Sequence, residues 1–125
     1  MLVFGFLTYA SVFMTWSLLS TYGLSAGWSA QLVGHVVEVI AILAASRIVD
    51  IADFRTAITY GAAWAVVHFL LDLLYVVPLV GFSPFFGIYG WISYGVIFVT
   101  PFLFLLWHKV RGSKNAQQDP QNAAV

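Results

Sequence analysis

Four side chains stand where chemistry is costly. His35, Glu38, His68 and Asp72 interrupt otherwise apolar runs. His35 precedes Glu38 by three residues and His68 precedes Asp72 by four, so each imidazole shares a helix face with a carboxyl group. Tyr75 continues the face of His68 and Asp72. A charged group at mid-membrane costs ~2.5–3.5 kcal/mol on insertion scales, so such groups turn inward towards partners. Three uses are open. Protonated carboxyls and neutral imidazoles can hydrogen-bond between helices and serve assembly. The set of His35, Glu38, His68, Asp72 and Tyr75 can relay protons or bind a solute. The two imidazoles and two carboxylates can also ligate a divalent metal, although their spacing matches no metal motif. A bis-histidine haem needs His35 and His68 face to face. They sit about 7–8 Å apart in depth by helix rise, which disfavours it.

Other chemistries find no residues. With no cysteine, disulfides, thiolate metal sites and thiol nucleophiles are excluded. No Ser–His–Asp arrangement, P-loop, HExxH pair or dinucleotide glycine pattern occurs. No cofactor is expected, and an enzyme is the least supported reading. Five basic and five acidic residues cancel, which leaves no basic excess for nucleic acid.

The elements that must position these groups follow from the charges. Only 8% of the 125 residues are charged and 62% are apolar. Ten charges cannot coat a soluble globule, for which about 25% is usual. Residues 1–37 carry no charge and residues 56–108 carry one, Asp72. A spanning helix needs roughly 20 apolar residues. Four runs meet that need, over about 2–22, 30–49, 56–77 and 85–107. The expected fold is therefore all-α, an integral membrane four-helix bundle in one domain over 1–108. The first run lacks a basic start and is too long for a signal peptide, so it reads as a retained span. The turn holding Arg47, Asp50, Asp53 and Arg55 reads as short and solvated. Pro78 reads as the end of the third span. Residues 109–125 read as a flexible polar tail.

All five Lys and Arg then fall on one side, in the turn after span two and in the tail. By the positive-inside rule both termini are cytoplasmic in a multi-pass protein of the plasma or inner membrane. Polar stripes mark the inward faces: Thr8, Ser11, Thr15 and Tyr22 on span one, and Tyr89, Ser93 and Thr100 on span four. Their hydroxyls are expected to bond between helices. Spans two and three are consecutive, so they are expected to pack together and join the two His–carboxyl pairs in one cluster.

The pattern Gly61-x2-Trp64-x6-Leu71-Asp72-x2-Tyr75, followed by Tyr89, Ile92, Tyr94, Thr100 and Pro101, resembles a family of small four-span proteins without assigned function. The resemblance covers about residues 57–105. It implies a four-helix membrane fold and supplies no activity. His35, Glu38 and His68 lie outside its motif. The function expected from the residues is proton-linked passage of a small solute through a polar bundle interior. The alternative is a non-catalytic accessory or assembly subunit of a larger membrane complex. Expected partners are the lipid bilayer and either further copies of the chain or a larger membrane protein, with no nucleic acid.

Overall fold

The structure, a computed structural model, describes residues 2–82 and 87–118. It is all-helical. Among the described residues four helices are long and apolar enough to cross a membrane. They are α1 (Leu2–Thr21), α2 (Trp28–Ile48), α3 (Phe54–Val80) and α4 (Ile88–Gln118). Runs of this composition can bury their backbone when helical, because the N–H and C=O groups inside a helix pair with one another.

Two boundaries differ most from the expectation. α3 does not stop at Pro78. A proline inside an α-helix sets its ring against the carbonyl four residues back. Here the turn before it, Asp72–Val76, is widened to π geometry, with the Val77 amide donating to the Asp72 carbonyl, and the chain continues through Pro78 to Val80. Gly81 ends it with φ of 82°, a conformation glycine adopts without strain. α4 runs on to Gln118, past the expected end at Trp107. Lys109, Arg111, Lys114, Ala116, Gln117 and Gln118, residues that favour helix, make up about half of 108–118. The expected tail beyond Gln118 and the expected start of span four at Phe85 lie outside the described residues.

The ring order of the bundle is α1, α2, α4, α3. Each neighbouring pair packs, while α2 and α3 face each other across the diagonal. The connection over residues 49–53 therefore crosses the end of the bundle. Ile51, expected in a solvated turn, is fully buried there. Its amide donates to the Ser46 carbonyl at 3.3 Å, and Asp50 takes a positive φ of 51°. This is a Schellman stop in which the second residue past the cap packs its apolar side chain inward. Asp53 then caps α3: its Oδ1 accepts from the Thr56 amide at 2.8 Å and its Oδ2 from the Thr56 hydroxyl at 2.7 Å. The Thr56 amide holds the Asp53 carboxyl below the usual aspartate range.

The core occupies the half of the bundle nearest this basic end. Ile42, Ala45, Ile51, Ala57, Trp64, Ile97, Phe104 and Leu105 form one buried cluster. Gly61 lets α3 and α4 approach. A Cβ at Gly61 would stand 2.6 Å from the Phe98 carbonyl oxygen, and backbone cannot swing away as a side-chain tip can. Gly61→Ala is expected to destabilise the protein by ~1–3 kcal/mol, the usual cost of overpacking. Thermal unfolding in mild detergent checks this, and an unchanged melting temperature would contradict the close approach.

Candidate functional site

The opposite half of the bundle is not filled by side chains. A cavity of about 520 Å³ lies there, lined by all four helices. Its wall runs from Glu38, His68 and Asp72 out to Ser20 at the end of α1 and Val80 at the end of α3. Glu38 falls at the middle of the 21-residue α2, deeper than the sequence spacing suggested, because α2 starts at Trp28 and not at Ala30.

Glu38 is 2% exposed. Its Oε1 accepts from the Ser93 hydroxyl on α4. Its Oε2 lies 3.2 Å from His35 Nδ1, one turn away on the same helix. The His35–Glu38 pair thus forms as the i, i+3 spacing implies, and α4 supplies the third member. His35 Nε2 is buried with no hydrogen-bond partner.

Asp72 has no histidine partner. Its Oδ1 accepts from the Tyr9 hydroxyl at 3.1 Å and its Oδ2 from the Tyr94 hydroxyl at 2.7 Å. The two tyrosines come from α1 and α4, the helices that flank α3. His68 bonds elsewhere. Its Nε2 is 3.1 Å from Thr8 Oγ1, and the Thr8 hydroxyl is also placed to donate to the Gly5 carbonyl at 3.0 Å. A hydroxyl has one proton. With that proton on Gly5, His68 Nε2–H is the donor to the Thr8 oxygen. The Tyr9 ring meets the His68 ring edge-on at 5.2 Å, which holds both in place.

Of the five residues expected at the site, four line the cavity: His35, Glu38, His68 and Asp72. Tyr75 does not. It is 52% exposed, because the π turn that begins at Asp72 carries it off the face an α-helix would give it. The expected His68–Asp72 pair is replaced by contacts to α1, and the expected packing of α2 on α3 does not occur. As a metal centre the set does not fit. Among the described residues no three His, Asp or Glu side chains converge to hold an ion, and His68 Nε2, which a haem would need, is bonded to Thr8.

The hydroxyls divide into two kinds. Thr8 and Ser93 bond between helices. Ser11, Thr15, Ser17, Thr21 and Thr100 each donate to the carbonyl four residues back on their own helix. The expected stripe of α1 is therefore not glue beyond Thr8. Thr100 bonds the Val96 carbonyl, not the Ile97 carbonyl that Pro101 leaves free.

Tyr9 and Tyr94 are the site residues that the polar stripes miss. Tyr9 lies beside the Thr8 stripe and Tyr94 beside the Ser93 stripe. α4 sits between α2 and α3, so adjacent residues serve both neighbours: Ser93 reaches Glu38 and Tyr94 reaches Asp72. The signal available in the sequence was the need of a buried carboxyl for donors, with tyrosines on two other spans at similar depth.

Chemically, both carboxyl groups are held by hydroxyls and imidazole, with no Lys or Arg among the lining residues. A hydroxyl donates to a carboxylate and accepts from a carboxylic acid. Either protonation state of Glu38 or Asp72 can therefore keep its partners. An arginine partner, which is never an acceptor, would pin the carboxylate. Compared with known protein families, curated proteins and solved structures, the chain finds no match, so what the site does rests on this geometry.

Proposed function

We propose that this chain is a multi-pass protein of the plasma or inner membrane that couples the passage of a small solute to proton movement. Both termini and the basic end face the cytoplasm in this reading, because Lys and Arg collect on the inner side. One observation carries it: two carboxyl groups with hydroxyl partners border a cavity of about 520 Å³ in the half without Lys or Arg, while in the basic half side chains pack around Trp64 and Ile97 and the groove of about 450 Å³ between α2 and α4 is lined by no carboxyl group. Intramembrane Asp, Glu and His are common in proton paths. A cavity of this size suits a small molecule. Access from one side at a time is what a carrier needs, and passage would require the Trp64 layer to part.

The test uses purified protein in sealed vesicles containing a pH-sensitive dye. Small amines, carboxylates and neutral polyols are added outside in turn. At least one class is expected to drive proton movement above that of protein-free vesicles. No response to any class, together with a stoichiometric larger protein copurifying in mild detergent, would replace this reading by the accessory-subunit one.

A further inference from the structure

The cavity wall also bears on which solute it accepts. Its titratable acids are Glu38 and Asp72, and none of its lining residues is Lys or Arg. Arg47, Arg55, Lys109 and Arg111 all belong to the other end of the bundle. Four aromatic rings face the same space, those of Tyr9, Phe13, Trp16 and Tyr89. Aromatic faces attract cations, with more effect where water is excluded. Each carboxylate oxygen has a second lone pair beyond the hydroxyl or imidazole it already meets. When Nδ1–H is donated to Glu38, the partnerless Nε2 of His35 is a further acceptor. A site with acceptors, acids and aromatic faces, and no cation of its own, complements a cationic donor with an apolar body. A bare divalent ion is a poor match, since it needs several converging oxygen ligands.

We infer that the cavity binds a small organic ammonium ion, a protonated primary or secondary amine carrying a compact apolar group. The inference rests on the transport reading for the ion's passage and not for its binding. The ammonium N–H groups meet the Glu38 and Asp72 carboxylates, and the apolar group lies against Trp16 and Phe13. One proton leaves to water, from whichever of the two carboxyl groups held it, as one ammonium charge enters, so the net charge of the cavity is unchanged.

Calorimetric titration of the full chain in mild detergent tests this with three probes of one shape: benzylammonium, benzyl alcohol and benzoate. Benzylammonium is expected to bind saturably, and the other two at least about tenfold more weakly. Glu38→Gln and Asp72→Asn should each weaken benzylammonium about tenfold or more. Trp16→Leu, which touches neither carboxyl group, should weaken it too. Alcohol or benzoate binding as well as the ammonium would overturn the inference. So would the absence of saturable ammonium binding to protein with an intact thermal transition. Saturable amine binding without proton movement in vesicles would support the inference and remove the transport reading. Proton movement driven only by neutral or anionic solutes, with no amine binding, would do the reverse.

Discussion

Asp72→Leu will be among the most destabilising single substitutions outside the packed core. The Tyr9 and Tyr94 hydroxyls both donate to Asp72, at 3.1 and 2.7 Å. Leucine removes the shared acceptor from both. A buried donor that loses its acceptor costs ~1–3 kcal/mol. Two such losses outweigh the gain from burying an aliphatic chain in a wall that already contains a cavity. Asp72→Asn should cost about 1 kcal/mol or less, because its carbonyl keeps one tyrosine and its amide donates to the oxygen of the other. Unfolding of both variants in mild detergent gives the comparison. Equal stability of Leu and wild type would mean that α1 and α4 do not meet at Asp72. Tyr9→Phe and Tyr94→Phe, each removing one donor and leaving the acid, should fall between the two.

Glu38→Gln will abolish solute-dependent proton movement while leaving the fold in place. Gln keeps the size of Glu, can accept from Ser93 and can meet His35, so the hydrogen-bond set survives. An amide cannot release a proton, so the coupling step is lost. In dye-loaded vesicles the variant should match protein-free vesicles. Asp53→Asn, at the exposed cap of α3, should behave as wild type. Undiminished coupling in Glu38→Gln would remove Glu38 from the proton path. A parallel collapse of stability would instead mark its role as structural.

Much of the architecture was legible from composition. The spacing of ten charges along 125 residues gave four apolar runs, and a helix occupies each, with small shifts at the ends of the first three and a long extension of α4 to Gln118. Chain neighbours usually pack together, and that rule misplaced α2 against α3. Nothing in the turn between them announced that it would cross the bundle, apart from Ile51, a large apolar side chain between Asp50 and Asp53. The crossing decided the site. It put α1 and α4 beside α3, so Thr8 took His68 and two tyrosines took Asp72. His35 and Glu38 were legible as a pair because both lie on one helix, where spacing fixes contact. Partners on different helices depend on ring order, which periodicity within a helix does not encode. The π turn was equally hidden. Pro78 signalled an end, and a widened turn before it allowed the helix to continue and carried Tyr75 outward.

The claim on which the rest depends is that Glu38 borders a cavity reached from the charge-free end. The chain has no cysteine, so a single Ser93→Cys places one thiol beside Glu38. Ser25→Cys, in the charge-free loop, and Ala52→Cys, in the basic turn, provide the two reference positions. An impermeant thiol reagent is applied to intact cells and, separately, to inverted membranes. The account predicts that Ser93→Cys and Ser25→Cys react from the outer side and that Ala52→Cys reacts only from the inner side. A Ser93→Cys thiol that stays unreactive from both sides, or reacts only alongside Ala52→Cys, would contradict it.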